Sequence, residues 1–483
     1  MSTTGTSAVT QAESFRTNAE VRSAVRTIVE QLQHAQAKLT GEQPPREDLH
    51  ATLESTLEHF ATLKGRGAAL PYIGSGLGHG PLVELTDGSV KWDMIGGIGV
   101  HMFGHSDPDL VATALDAALG DTVMQGNLQF NQDVIDFTTT LMEQASIESQ
   151  LAHCFLTNSG AVANETGLKV VFQKNAPAQR ILLFEDCFCG RTYAMAQLGD
   201  SAAGREGLPL NMLVDYIPFY DPDRPEESTK AAITALETLL RRYPKQFAAF
   251  KMELVQGEGG FRIAPREFLM ELITRCKDAG LAIWVDEVQT FGRTERMFHF
   301  QQLELGAYVD VVTIGKMSQT CACLYTADYN PRPGLLSGTF IASTAALRVG
   351  RRILERLRDG DYYGAKGRIA ALQKAFRLHA NALVERRPEC FPPIPHDAGG
   401  TRDALGFAGG VGGMMRLSPF GGEKEKIIKL VRTLFDEGVV AYYCGHGPYH
   451  LRFLAPFGVL EESQFEAIFA CVERALVRVA GDD

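Results

Sequence analysis

The chain has 483 residues, with 47 Lys and Arg against 58 Asp and Glu, a formal charge of −11. At about 150 residues per domain, this length predicts two or three domains and a sizeable core. The acidic balance excludes nucleic acid and anionic membrane as main partners, because both need net basic patches. No apolar run reaches the roughly 18 residues of a membrane span. The polar start MSTTGTSAVTQAESFRTN lacks the basic and then apolar regions of a secretory signal. Nine cysteines without framework spacing read as reduced thiols. These readings predict a soluble, cytoplasmic protein of enzyme size.

In chain order, the first 15 or so residues read as frayed. Val21, Val25, Ile28, Val29 and Leu32 share one helical face, and Leu49, Leu53, Leu57 and Phe60 share another, with GEQPPRED as the breaker between them. This helical arm, residues 1–65, is expected to serve packing or subunit contact. PLVELTDGSVKWDM then predicts a hairpin turning at Asp87-Gly88. From about 150 to 340, short apolar runs alternate with amphipathic helices, which predicts βαβ units around a mostly parallel sheet. The runs are HCFL (153–156), RILLFE (180–185), FAAFKMELV (247–255), LAIWVDE (281–287) and VDVVTIG (309–315). One intervening helix is signed by Pro265 near its start, by Phe268, Leu269, Leu272, Ile273 and Cys276 on one face, and by Gly280 after its end. STAALRVGRRILERLRD reads as a long helix leaving this region, and the remainder as a smaller α/β domain.

In an open parallel sheet, ligands bind beyond the carboxyl ends of the strands. Here those ends run into TNSGAVANE, DCFCGRT, QGEGG, VQTFGRT and Lys316. Five strand ends thus carry small, polar or ionisable residues of the kinds a phosphorylated cofactor needs. In that order NSGAVANE, FCGRT, QGEGG, DEVQT and TIGK resemble the class III (ω-amino-acid) aminotransferases, pyridoxal-phosphate enzymes of fold type I. The resemblance covers roughly residues 70–483. It implies an α/β architecture: a large cofactor domain with a mostly parallel central sheet (131–350), a smaller α/β domain (351–483) joined by the substrate-mouth segments of 66–130, and a homodimer with shared active sites.

Residue by residue, the resemblance makes Lys316 the Schiff-base lysine and the base for the 1,3-proton shift. A lysine after an apolar strand and a glycine is partly desolvated, which favours the nucleophilic amine; alone, a GK dipeptide reads as a solvated lysine. Asp286 ends a strand, where a buried carboxylate needs a cationic partner. The resemblance supplies a pyridinium nitrogen, kept protonated so that the ring remains an electron sink. Alone, Asp286-Glu287 reads as a helix cap or a metal pair, although no clustered His ligand accompanies it. Val288 is expected on one ring face and Gln289 near the ring hydroxyl, and Glu253 is assigned to the same site. Ser159, Gly160 and Ala161 precede a helix through Asn164 and Lys169, whose N–H groups and dipole suit a phosphate. Ala161 stands where a hydroxyl residue is common and Val162 where an acidic one is. Thr339 in SGTF matches the threonine that reaches the neighbouring subunit's phosphate. Phe188 matches the aromatic that stacks on the ring, although alone it reads as core, and Cys189 replaces a usual histidine or tryptophan.

Arg191, Glu258 and Arg452 match two substrate arginines and a switch glutamate. Guanidinium forks bind carboxylates bidentately. Glu258 is expected to neutralise Arg452 while an ω-amino donor is anchored at Arg191, and to release it for the α-carboxylate of glutamate or 2-oxoglutarate. Without the resemblance these are three surface charges.

Other signals count for less. GSGLGHG (74–80) leads into a hairpin, which excludes a dinucleotide site, and the two CxC pairs, Cys187/Cys189 and Cys321/Cys323, fit no zinc spacing. Phe291 directly after Thr290 shortens a loop that ends in RTER and is expected to reshape the substrate mouth; Leu254 replaces a common proline. The sequence therefore predicts an aminotransferase that uses pyridoxal 5'-phosphate and no metal, with a small-molecule amino donor and a 2-oxo acid as partners, running a ping-pong reaction to glutamate. The alternatives are an aminomutase or decarboxylase on the same scaffold, or a silent cofactor-binding paralogue. The segments Ile98–Phe103 and Gln125–Phe130 are expected to set the donor.

Overall fold

The computed structural model describes residues 9–121, 124–126 and 128–481. A short helix, Gln11–Thr17, forms inside the stretch expected to fray, capped by the Thr10 side chain. The two helices of the arm follow as α1 (Ala19–Gln36) and α2 (Glu47–Lys64). Their apolar faces are only partly covered: Gln36 and Leu53 are their buried residues, and Ile28 and Phe60 are exposed.

The hairpin forms where the sequence places it. β1 (Gly74–His79), β2 (Leu82–Leu85) and β3 (Val90–Asp93) run antiparallel in turn, and Gly88 takes the positive φ of 75° that the turn needs. Helices α3 (Pro108–Ala118) and α4 (Gln132–Ala145) lead into the large sheet.

That sheet has seven strands: β4 (Leu151–Thr157), β5 (Arg180–Phe184), β6 (Leu213–Ile217), β7 (Phe247–Glu253), β8 (Ala282–Asp286), β9 (Val311–Ile314) and β10 (Cys321–Thr326). Their spatial order is β4-β10-β9-β8-β7-β5-β6. The neighbouring pairs among β9, β8, β7, β5 and β6 are parallel, and β10 runs antiparallel to both β9 and β4. The five apolar runs are the cores of five of these strands. The sequence reading missed β6, an edge strand, and β10, whose CACL had been weighed only as a cysteine motif. Every residue of β7 is buried, as in a sheet covered on both faces. The carboxyl ends of the parallel strands consequently share one edge.

Helix α5 (Gly160–Lys174) follows β4, and α6 (Arg266–Asp278) buries the five residues expected of it before Gly280, at φ 82°. The long α7 (Thr344–Asp359) is pinned by arginines. Arg348 forms a two-pronged pair with Asp133 at 2.8 Å on each side and reaches Asp116 at 2.6 Å; Arg351 pairs with Asp136, Arg352 with Asp109 and Arg356 with Asp107. Arg22 on α1 shares Asp116, which ties the arm to this frame.

Beyond α7, β11 (Ala408–Val411), β12 (Met414–Leu417), β14 (Tyr442–Cys444) and β15 (His450–Phe453) form an antiparallel sheet, while β13 (Val439–Val440) pairs in parallel with β3. Strands from residues 74–93 thus share a sheet with residues 439–440. Among the described residues, no helix is long and apolar enough to cross a membrane.

Candidate active site

Lys316 leaves β9 through Gly315 and enters a short 3-10 turn at φ 58°, a left-handed conformation that is strained for a residue with a side chain. Burial, reinforced by the nearby Arg293 and Arg452, lowers its pKa to about 8 against the opposing pull of Glu258 and Asp286. Its amine is therefore poised for nucleophilic and proton-transfer work near neutral pH.

Asp286 ends β8, 6% exposed. Its Oδ2 accepts from Lys251 Nζ at 2.6 Å and from Asn164 Nδ2 at 2.8 Å, and its Oδ1 accepts from the Val288 N–H at 3.0 Å. The cationic partner that the sequence reading left to a cofactor is thus present within the chain, as a lysine on β7. A lone-pair direction of Oδ1 remains for a further donor. Glu287 points elsewhere: it accepts the N–H groups of His299 and Phe300 and the Thr290 hydroxyl, a cap with no metal character. Among the described residues, no group of three His, Cys, Asp or Glu could hold a metal.

Ser159 caps α5, its Oγ accepting from the Val162 N–H. The N–H groups of Gly160 and Ala161, first in the helix, have no intrahelical acceptor and suit an anion. Gly160 is required by contact: a Cβ there would lie 2.7 Å from Val288 Cγ1. Val288 is accordingly wedged between the helix start and the end of β8.

Phe188, half-buried, donates its N–H to Glu253 Oε1 at 2.9 Å, and Gly257 donates to Glu253 Oε2 at 3.0 Å. Glu253 therefore ties the Phe188 turn to the QGEGG turn with both oxygens, and burial, with Asp286 nearby, raises its pKa to about 8. Cys189 is 2% exposed and faces inward; contact with the Cys187 thiol, helped by the Lys251 ammonium, lowers its pKa against burial. Phe291, in the shortened loop, is fully buried and packs on Phe298 at 4.8 Å between ring centroids. Leu254 is likewise buried.

Arg452, on β15, is fully buried and donates from Nη1 to Glu258 Oε1 at 2.5 Å. Its Nε and Nη2 have no partner among the described residues. Burial works against the charge of Glu258, but Arg452 outweighs it and lowers the carboxyl's pKa. Arg191 is exposed and stacks over Phe188, its guanidinium carbon 5.6 Å from the ring centroid. Thr339 is exposed beside Phe340 and is not gathered with the other residues. Of the segment Gln125–Phe130, residue 127 lies outside the described residues; Ile98–Phe103 lines up beside the site, with Val100 O accepting from Gln319.

Sequence reasoning missed three contributors. Lys251 was counted inside an apolar run. Asn164 was noted only as part of a helix; it bridges Asp286 to the Cys189 carbonyl and accepts from Thr313. Arg293 was passed over in RTER; it is buried without a carboxylate, donates to the Gln289 and Phe291 carbonyls, and has its pKa lowered to about 10 by burial. A cavity of about 630 Å³ lies on the far side of the QGEGG turn, between Arg262, Arg402, Arg416 and His446, and contains none of the predicted site residues.

The assembled groups fit pyridoxal phosphate. They comprise a partly desolvated lysine, a carboxylate with one acceptor direction open, N–H groups at a helix start that have no intrahelical acceptor, and the Gln289 Oε1, buried without a partner among the described residues. The comparisons agree. Residues 73–386 match the family model for class-III aminotransferases, so the chain belongs to that family and is a pyridoxal-phosphate-dependent transaminase. It is 31% identical over 331 residues to an acetylornithine aminotransferase of Agrobacterium fabrum, spanning 66% of this chain and 77% of that enzyme. It is 34% identical over 246 residues to another from Myxococcus xanthus, spanning 50% of this chain and 56% of that enzyme. Among solved structures, the lysine aminotransferase from M. tuberculosis superposes with a TM-score of 0.72 at 21% identity, covering 88% of this chain and 99% of that one. The ornithine aminotransferase from Toxoplasma gondii gives 0.73 at 19% identity, covering 91% and 100%. The fold type I architecture read from the motifs is the one observed.

Proposed function

We propose that the protein transfers the terminal amino group of an ω-amino acid or diamine, of the lysine, ornithine, acetylornithine or 4-aminobutyrate type, to 2-oxoglutarate, giving glutamate in two alternating half-reactions. The observation that carries this reading is Arg452: a buried guanidinium held at one nitrogen by Glu258, with two others unpartnered. Such a fork is matched to a carboxylate, and Glu258 is the group that yields it. While Glu258 covers Arg452, a donor anchored by its carboxylate at the exposed Arg191 presents its far amine to Lys316. When Glu258 withdraws, Arg452 takes an α-carboxylate and Arg191 the distal one.

Pyridoxal phosphate, when bound, supplies an electrophilic carbonyl for the amine and a ring that accepts electron density. The chain's own groups do the rest. Lys316 Nζ would hold and move the proton taken from the substrate carbon, Asp286 Oδ1 would accept from the cofactor's ring nitrogen, and Val288 and Phe188 would pack against its ring. The start of α5 would hold the phosphate. We further propose a homodimer in which Thr339 serves the partner's phosphate; its exposure beside the exposed Phe340 and Leu128 supports a second copy covering this surface. The nine free cysteines, eight of them buried, support a cytoplasmic setting.

The test is the visible absorption of the purified protein with pyridoxal phosphate, recorded during addition of each donor and then of 2-oxoglutarate, with Lys316→Ala as control. A band lost with one donor and restored by 2-oxoglutarate supports the proposal and names the donor class. A band that no donor moves refutes the transfer, and no band at all refutes the cofactor assignment.

A further inference from the structure

Lys251 is 1% exposed in the interior of β7, a strand covered on both faces. An ammonium there is costly unless it is paired, and any apolar side chain of similar length would fill the strand without that cost. Its ion-pair partner is Asp286, at 2.6 Å. The register explains the meeting: Lys251 lies opposite Trp284 and Glu253 opposite Asp286, all four on one face of the sheet, and the ammonium sits 5.1 Å from the Trp284 ring. The other titratable or charged groups around the pair are Glu253 on the same strand, Cys187 and Cys189 from the turn after β5, Glu287 next to Asp286, and, on the substrate side, Lys316, itself flanked by Arg293, Glu258 and Arg452. Helix α5 contributes the neutral Asn164. Burial opposes the charge on Lys251, but Asp286, with Cys189 and Glu253, outweighs it and raises the lysine above its ordinary range.

We infer that Lys251 is a positioning residue for the cofactor's ring: it fixes Asp286 through Oδ2, leaving Oδ1 as the ring's acceptor, and shares that carboxylate's charge, so the ring nitrogen meets a counter-ion already half neutralised. The inference rests on the cofactor reading above. It has two consequences. The site is electrostatically complete before the cofactor arrives, and a buried positive charge paired with Asp286 would disfavour protonated forms of the bound cofactor.

The experiment compares wild type, Lys251→Met and Lys251→Arg, each loaded with pyridoxal phosphate. The pH midpoint of the visible band is read together with the melting temperatures of the apo and loaded proteins. Lys251→Met is expected to raise the midpoint by a pH unit or more, a tenfold gain in proton affinity. It should also enlarge the melting gain that the cofactor confers, because the ring nitrogen no longer shares Asp286 with the Lys251 ammonium. Lys251→Arg should keep the wild-type midpoint. If Lys251→Met is not recovered folded, Lys251→Gln, which still donates to Asp286 without charge, is read in the same titration with the same expectation. Equal midpoints in wild type and the uncharged variants, with apo and loaded melting falling in parallel, would show that Lys251 is only packing and overturn the inference. A wild type with no visible band overturns the cofactor reading instead, and is told apart by that absence.

Discussion

Glu258 Oε1 and Arg452 Nη1 stand 2.5 Å apart, joining the turn after β7 of the large sheet to β15 of the small one. One residue is rooted in each sheet, so the proposed release of the guanidinium would undo a contact between them. Glu258→Ala should leave Arg452 permanently uncovered. The half-reaction with an ω-amino donor is then expected to slow by about tenfold or more, equivalent to about 1.4 kcal/mol, while that with glutamate is held or improved. Rapid-mixing measurement of the two half-reactions checks this, and equal slowing of both would contradict the switch.

Lys316 gives a pH prediction with a definite sign. Its pKa in the folded chain is about 8, against 10.5 for an unperturbed lysine. Covalent loading of the apoprotein requires the free amine, so its rate should climb about tenfold between pH 7 and pH 9. The unfolded chain holds this proton to higher pH than the folded one. Apoprotein stability should therefore rise with pH between 8 and 10.5, and this contribution should vanish in Lys316→Met. Denaturant titration across that window is the measurement.

Gly160→Ala would place a methyl 2.7 Å from Val288 Cγ1. Either Val288 shifts or the first turn of α5 does, at a cost of about 1–3 kcal/mol. Because both are proposed to border the cofactor, the loss should appear in pyridoxal-phosphate affinity as well as in stability. An unchanged dissociation constant would detach this helix start from the cofactor.

The arginines of α7 give a purely structural prediction. Asp133 is largely buried and accepts from Arg348 on both oxygens. Asp133→Asn should destabilise the fold by about 1–3 kcal/mol, whereas Asp48→Asn, whose partner Arg46 is equally exposed, should change little. Urea midpoints for the two variants should differ accordingly.

How much of this was readable beforehand varies by residue. Runs such as RILLF and AIWVD read as strands because each packs four consecutive apolar side chains into a short segment, and the Pro265–Gly280 helix carries its own start and stop. CACLYT lacked such a signature: its two cysteines drew the eye to chemistry, and a strand reversing direction directly after the site lysine has no local mark. Lys251 was illegible for a related reason. A lone lysine in a strand reads as the solvent-facing alternate until the sheet is known to be covered on both faces. The order of the motifs conveyed the cofactor site; the partners of each charge depended on distances that only tertiary structure sets.

The antiparallel placement of β10 bears on how the chain is made. Among the described residues, β4 lies at the sheet's edge with β10 as its one strand neighbour, and residues 158–320 separate the two. At the ribosome's pace of about 5–20 residues per second, β4 waits for about ten to thirty seconds with an unpaired edge. The helix start proposed to hold the phosphate follows that strand directly, so on this reading the cofactor pocket cannot close until the last strand of the sheet has emerged. A nascent chain arrested before Cys321 should accordingly be the species that chaperones hold and proteases cut.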